Sequence, residues 1–417
     1  MILKHIRVSN FRSIGELELE LTPLTVLVGP NACGKSNILD ALQFVKDVFV
    51  QGLGAAVDAR HGADCVVCQA GKAGGEDVAE FVLTFTPHEG REYVGPGRFT
   101  YLRYALSVEL PRRGHDPPRI VREAATCGWE VAGSEAGATR ELTPFRRTKD
   151  EVEAYWGEAQ LPNGVEAVLT EGRTLRAPTA DHDRSGVPAF TVGSPDLWLL
   201  HQCVLRLSIY DIVPGIARMP SPVTQDALNR YGGNLASVLH RIGRADDAAE
   251  AMSTIRDSVS SAVPGFTDIV TEETSDGNVT FRVGEDSANT RMGPTQVSDG
   301  TLRLLCYHGV LASGPLKDEL PAMAACIEEP ERGLHPWLIA ELVENFREFA
   351  ETGQVLLTTH SPVVVDAAKA EEVVIVEKAE GMTKVRRASH REDVERFLER
   401  FTLGELWQQG RFGGVPD

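Results

Sequence analysis

Long apolar runs are missing from this 417-residue chain: no stretch approaches the length of a membrane-spanning helix. That sets aside an integral membrane protein built from helices. The opening residues Met1-Ile2-Leu3-Lys4-His5-Ile6-Arg7 meet charge too early for a secretory leader, so the chain reads as cytoplasmic. Cysteine is scarce and odd in number, seven scattered residues, which fits reduced thiols better than a disulfide framework. Cys65-x-x-Cys68 with His61 upstream is half of a zinc pattern, but a structural zinc needs four ligands and no second pair is nearby. Positive charge is in deficit: 42 Lys and Arg stand against 60 Asp and Glu, a net −18. Whole-surface attraction to nucleic acid or anionic membrane is thereby excluded, and any DNA contact has to be a local basic patch. Heptads, internal repeats and low-complexity tracts are also lacking, which leaves no sign of a long coiled-coil arm.

What remains is ordinary globular composition, 42% hydrophobic and 24% charged, and a length sufficient for two or three lobes around a substantial core. Ile2, Ile6 and Val8 suggest one face of a strand, and Leu17, Leu19 and Leu21 alternate strictly with Glu16, Glu18 and Glu20. Leu24 to Val28 is continuous and apolar, as a strand covered on both faces is. It delivers Gly29-Pro30-Asn31-Ala32-Cys33-Gly34-Lys35-Ser36, which fits the phosphate-cradling pattern G-x-x-x-x-G-K-[ST] between a strand and a helix. There the glycines let backbone N–H groups turn toward a polyphosphate, Lys35 reaches the outer phosphates and Ser36 holds Mg²⁺. From Asn37 the apolar positions Ile38, Leu42, Val45 and Phe49 predict a helix, stopped by Gly52 and Gly54.

Segment 55–180 reads as loop-rich and strand-like, clearest at residues 81–85 and 101–110, with Arg112, Arg113, Arg146, Arg147 and Lys149 in the intervening loops. Helices are expected over 196–212 and 224–262, then strands at 266–270 and 279–283. Ser298-Asp299-Gly300 opens an amphipathic helix with Leu304, Leu305 and Val310 on its apolar face. Residues 323–327 form a buried-strand pattern ending in Glu328-Glu329-Pro330-Glu331, and acids at a strand's carboxyl end sit where open α/β sheets bind ligands. A further strand, 355–358, runs into Thr359-His360-Ser361-Pro362; Ser361 as cap and Pro362 at the first helical position leave His360 over. Asp393 to Phe401 reads as an amphipathic helix, and Trp407 and Phe412 as residues that dock a terminus.

Taken in order, these motifs resemble the ABC-type ATPase heads of the SMC, RecF and OLD (overcoming lysogenization defect) group. Asn10-Phe11-Arg12-Ser13, the phosphate loop ending Gly34-Lys35-Ser36-Asn37, and Ser298-Asp299-Gly300 as signature carry the likeness, with Glu328-Glu329-Pro330-Glu331 and Leu334-His335-Pro336 as Walker B and D-loop. Thr359-His360-Ser361-Pro362 is similar to the switch-histidine motif. The resemblance implies an α/β fold, a P-loop ABC-type head with an antiparallel β lobe and a helical insertion. Its parts are core over 1–55, an inserted β-rich and helical lobe over 56–290, and the second part of the core over 291–417. It also implies ATP and Mg²⁺ as cofactors and two heads paired head-to-tail, Ser298 and Gly300 of one meeting the γ-phosphate held by the other. Glu329 would be the catalytic carboxylate, Glu328 and Ser36 the Mg²⁺ side, His360 the γ-phosphate sensor. Arg12, Gly29, Asn31, Gly34, Lys35 and Asn37 would surround the nucleotide. Two departures stand out: Glu328 where such heads usually carry Asp, and no placeable glutamine loop, Gln43 being too close to Lys35.

The function expected is an ATP-hydrolysing, ATP-dimerised switch in DNA transactions or phage defence, with DNA and a separate nuclease or toxin effector chain as partners. Its alternative is a non-hydrolysing ATP-binding scaffold that regulates a partner nuclease. A nuclease in its own right fits poorly, since 417 − 360 = 57 residues follow His360 and offer no Asp pair beyond Asp366 and Asp393. A transporter's ATP-binding subunit is disfavoured by the long insertion and by the Asn10-Phe11-Arg12-Ser13 start.

Overall fold

The computed structural model describes residues 1–68, 77–88, 98–111, 116–130, 139–156, 173–178, 182–225, 227–245, 248–286, 291–312, 324–390, 397–411 and 413. Arg112, Arg113, Met323, residues 393–396 of the expected terminal helix and Phe412 lie outside them.

The described residues contain two large sheets and a small third one. The first is antiparallel, with β1 (Ile2–Phe11) between β2 (Ile14–Glu20) and β4 (Val78–Thr86). It continues through β5 (Arg98–Glu109), β6 (Arg119–Glu130), β7 (Thr139–Arg147), β8 (Glu151–Trp156) and β9 (Arg173–Pro178). The second runs in the order β10 (Leu207–Tyr210), β14 (Ala324–Glu328), β15 (Gln354–Thr359), β3 (Leu24–Val28), β16 (Val373–Ala379), β17 (Met382–Arg387), parallel except for the last pair. A small third sheet holds β11 (Ser221–Pro222), β13 (Asn278–Glu285) and β12 (Phe266–Glu273).

The parallel sheet separates two apolar cores. Successive side chains of a strand point to opposite faces, so Leu27, Cys326, Leu356 and Val374 join the core shared with the antiparallel sheet and the helix Lys35–Gln51. Val26, Val28, Ala325, Ile327, Leu357 and Ile375 face the other core, under the helices Leu235–Ile242, Asp299–Ala312 and Pro336–Ala350. Burial on both sides explains why these strands read as unbroken apolar runs. Segment 56–290 shares both sheets with the rest of the chain: β4 pairs with β1, and β10 pairs with β14.

Several local expectations change. A register shift between Leu3 and His5 lets Leu3, not Ile2, join Ile6 and Val8 in the core. The helix expected over 196–212 ends at Leu205, because Leu207 to Tyr210 pair with β14 as the sheet's edge strand. Residues 230–234 form turns around Gly232 and Gly233, and within the expected helix 224–262 the described residues form two helices, Leu235–Ile242 and Ala248–Ala262. Gly52, at φ 96°, breaks the first helix, but Gly54 lies inside a short second one, Leu53–Asp58. Trp407 is buried on the short helix Leu403–Gln408, which packs on the helix Pro362–Ala367, where the Gly404 N–H donates to Asp366 Oδ1 at 2.6 Å. No helix among the described residues is long and apolar enough to cross a membrane.

Candidate functional site

Three neighbouring strands, β14, β15 and β3, end on the same side of the parallel sheet. Their carboxyl ends carry Glu328, the segment into His360, and the loop Gly29–Gly34. Parallel register fixes this convergence: Glu328 pairs with Thr358, and Thr359 pairs with Val28.

The loop sits tightly on its surroundings. A Cβ at Gly29 would overlap the Val376 carbonyl of β16, and Gly34 takes φ 108° as the cap of the first helix. Lys35 is buried, its Nζ donating to the carbonyls of Gly29 at 2.7 Å and Pro30 at 2.9 Å. The ammonium therefore curls back over the loop that a phosphate would fill. Ser36 Oγ donates to Glu328 Oε2 at 2.8 Å, joining loop and strand end. Asn31 is exposed, and Asn37 turns its amide to Ser13 Oγ at 2.6 Å.

Each of the two adjacent acids has its own cation. Glu328 Oε1 lies 3.3 Å from Arg230 Nη2. Burial pushes the Glu328 carboxyl above its ordinary value, opposed by the Ser36 hydrogen bond and Arg230 and reinforced by Asp211. Glu329 sits at φ 44°, a left-handed backbone rare for a side chain of this size, held by its N–H to the Thr358 carbonyl at 2.9 Å. Its carboxylate meets Arg332 Nε at 2.6 Å and His360 Nδ1 at 3.3 Å. Burial raises the Glu329 carboxyl, but the bond and charge of Arg332, with His360 and Lys35, outweigh it and hold the group below its ordinary value. Arg332 also reaches Asp211 Oδ1 at 3.5 Å.

The segment after β15 is organised by Thr359 rather than Ser361. Thr359 Oγ1 donates to Glu331 Oε1 at 2.6 Å and accepts the Ser361 N–H at 2.9 Å. The Ser361 side chain makes no cap bond, whereas Pro362 does open the helix.

Arg12, at φ 50°, pairs through Nε with Asp40 Oδ2 at 2.7 Å on the first helix, where buried Arg60 also binds Asp40 and Asp47. Ser298 is exposed and caps the helix Asp299–Ala312, accepting the Thr301 N–H at 3.2 Å. Among the described residues its hydrogen bonds stay within that helix start. Asp299 beside it pairs with Arg218 at 2.6 Å. A Cβ at Gly300 would come within 2.9 Å of the Gly333 carbonyl, so the signature helix start lies against the turn that carries Arg332.

Within the chain, the loop, Glu328, Glu329 and His360 thus meet, while Gly300 lies against Gly333 and the hydrogen bonds of Ser298 among the described residues stay at its own helix start. Gln43 donates to Asp47 at 2.7 Å on its own helix. Among the described residues no group of three or more His, Cys, Asp and Glu is arranged around a metal position, and Cys65 is exposed whereas Cys68 is buried. Mg²⁺ keeps most of its water and needs only one or two protein oxygens, such as the hydroxyl and carboxylate of Ser36 and Glu328. Sequence reading missed Arg230, Asp211 and Arg332. Arg332 was detectable as a cation three residues from Glu329, but Arg230 and Asp211 are about a hundred residues away and carried no local signal.

The family model described as "AAA domain, putative AbiEii toxin, Type IV TA system" matches residues 226–366, and the model described as "AAA ATPase domain" matches residues 1–72. Over 44 residues the chain is 48% identical to the OLD nuclease of Thermus scotoductus, covering 11% of this chain and 8% of that protein. Over 46 residues it is 50% identical to the DNA replication and repair protein RecF of Gloeobacter violaceus, covering 11% and 12% respectively. The chain therefore spans only 8% and 12% of the length of these curated relatives. A solved SMC head bound to the C-winged helix domain of ScpA superposes with a TM-score of 0.52 at 14% identity, over 93% of this chain and 98% of that one. Short sequence matches to RecF and OLD proteins and a chain-long match to an SMC head lead to one architecture, and the chain has that of an SMC/RecF/OLD-like ATPase head.

Proposed function

We propose that this chain binds and hydrolyses ATP with Mg²⁺, and that ATP pairs two copies head-to-tail. The observation that carries the reading is the convergence of the Lys35 loop, Glu328, Glu329 and His360 at three adjacent strand ends. Lys35, now satisfied by two loop carbonyls, would exchange them for phosphate oxygens, a gain because the new partners are charged. Ser36 and Glu328 would hold Mg²⁺, which neutralises phosphate charge when bound. Glu329 would orient and deprotonate the attacking water, and His360 on its other side would report the γ-phosphate. The exposed Ser298 hydroxyl and its helix start face outward, available to nucleotide held by a second copy.

In this reading the pair acts as a switch in DNA transactions or phage defence and controls a separate nuclease or toxin effector chain. A second reading, an ATP-binding scaffold that does not turn over, is favoured by one feature: both oxygens of Glu329 are already engaged, by Arg332 and His360. Measured phosphate release separates the two. Lys35→Ala should abolish ATP binding, and Glu329→Gln should bind ATP, stop release and accumulate dimer by light scattering. A Glu329→Gln protein that stays monomeric in saturating ATP and Mg²⁺ would sink the pairing mechanism.

A further inference from the structure

Behind the phosphate loop, on the side away from Glu328, runs a hydrogen-bond relay that ends on Thr383, a residue outside every motif named above. Thr383 of β17 is fully buried, and its Oγ1 donates to the carbonyl of Cys33 at 3.0 Å. That uses its single proton, so the 2.6 Å contact between Ser13 and Thr383 has Ser13 as donor. Ser13 Oγ in turn accepts from Asn37 Nδ2 at 2.6 Å. Donors and acceptors therefore line up in one direction, from the Asn37 amide through Ser13 and Thr383 to the Cys33 carbonyl. The backbone locks the same pair together, the Thr383 N–H donating to the Ser13 carbonyl at 2.7 Å. Space is tight as well: a Cβ on Gly34 would overlap the Thr383 hydroxyl and come within 2.8 Å of Ser13 Oγ.

We infer that Thr383 and Ser13 are positioning residues for a polyphosphate, which they never touch: by fixing the Cys33 carbonyl behind the loop they aim the Gly34 N–H into it. The physical basis is the planar trans peptide, whose C=O and N–H point in opposite directions. Anchoring the Cys33 carbonyl on the Thr383 side turns the next N–H to the open side, where an anion would be cradled. A loop held this way spends no binding energy on ordering itself. The relay also joins three distant stretches: the β1–β2 turn, the first helix and the β16–β17 hairpin. This inference rests on the proposal that the loop binds a nucleotide.

The test is a titration of fluorescent ADP and ATP analogues into wild type, Thr383→Val, Thr383→Ser and Ser13→Ala. Each variant's melting shift with ADP and Mg²⁺ is read against its own ligand-free melt, so a general loss of stability cancels. Thr383→Val is expected to weaken both nucleotides about tenfold, the equivalent of one well-placed hydrogen bond. Ser13→Ala, which leaves the bond to Cys33 in place, is expected to weaken them about threefold, and Thr383→Ser to bind as wild type does. Equal affinity of Thr383→Val and wild type would overturn the inference, as would a Thr383→Ser protein as weak as the valine variant. Should Thr383→Val fail to fold, the decision falls to Ser13→Ala, with unchanged affinity again overturning it. A wild-type protein that binds no nucleotide would refute the proposed function itself, a different outcome.

Discussion

Arg332 Nε lies 2.6 Å from Glu329 Oε2, across the turn that leaves β14, and the other oxygen of that carboxylate faces His360 Nδ1 at 3.3 Å. An acid on a left-handed backbone is thus gripped from two sides by residues of two different strand ends. Both grips bear on how the acid would work.

Glu329 has to be ionised to accept a proton from water. Arg332 is the foremost influence holding its carboxyl down against burial, so removing Arg332 lets the group titrate at higher pH. Arg332→Ala is expected to lose ATPase activity at a higher pH on the acid side than wild type does, measured as kcat against pH. If the acid limb stays in place, Glu329 is not the group it reports.

Glu328 offers its charge to the position beside Ser36. Glu328→Gln keeps an acceptor for the Ser36 hydroxyl but removes that charge, and Arg230 loses its partner. The Mg²⁺ concentration needed for half-maximal ATP binding is expected to rise about tenfold, the order of one lost charge-assisted contact. Isothermal titration at stepped Mg²⁺ reads it directly.

Arg60 is 5% exposed, bonded to Asp40 and Asp47 and stacked 5.0 Å over the Phe44 ring. Removing one partner from a buried ionic cluster strands the others. Arg60→Leu is expected to cost about 3–5 kcal/mol in urea unfolding. A loss under about 1 kcal/mol, typical of exposed pairs, would mean the cluster is solvated.

His308 lies buried among Leu304, Leu338 and Leu342, with Glu341, Ser258 and Asn345 also lining its surroundings. Burial lowers its pKa to about 4, against 6.5 for a free imidazole. The unfolded chain therefore binds a proton that the folded chain refuses, so stability is expected to fall as pH drops from 6.5 toward 4. The linked loss is roughly 3 kcal/mol at most. His308→Gln should flatten that part of the stability curve in pH-stepped denaturation.

Much of the site was readable in the chain because its parts are short and local. The loop Gly29–Ser36, the acids after residue 327 and His360 each announce themselves by residue type at the end of an apolar run. Errors arose where a distant partner decided the outcome. Leu207 to Tyr210 continue a helix by local pattern, yet pairing with β14 satisfies their backbone better than another helical turn. Ile2 was displaced by Leu3 through a register shift that depends on β4, more than seventy residues away.

The sequence by itself determined the phosphate loop, the paired acids and the strands that present them, since glycine placement, apolar runs and turn residues act within a few positions. Only the tertiary structure decided the partners: Arg230 for Glu328, Asp211 for Arg332, Thr383 for the Cys33 carbonyl. Such contacts join residues 350 positions apart in one case, and they exist because the order of strands in the parallel sheet brings their ends together. Hydrogen bonds and ion pairs act over a few ångströms of space, whatever the separation along the chain.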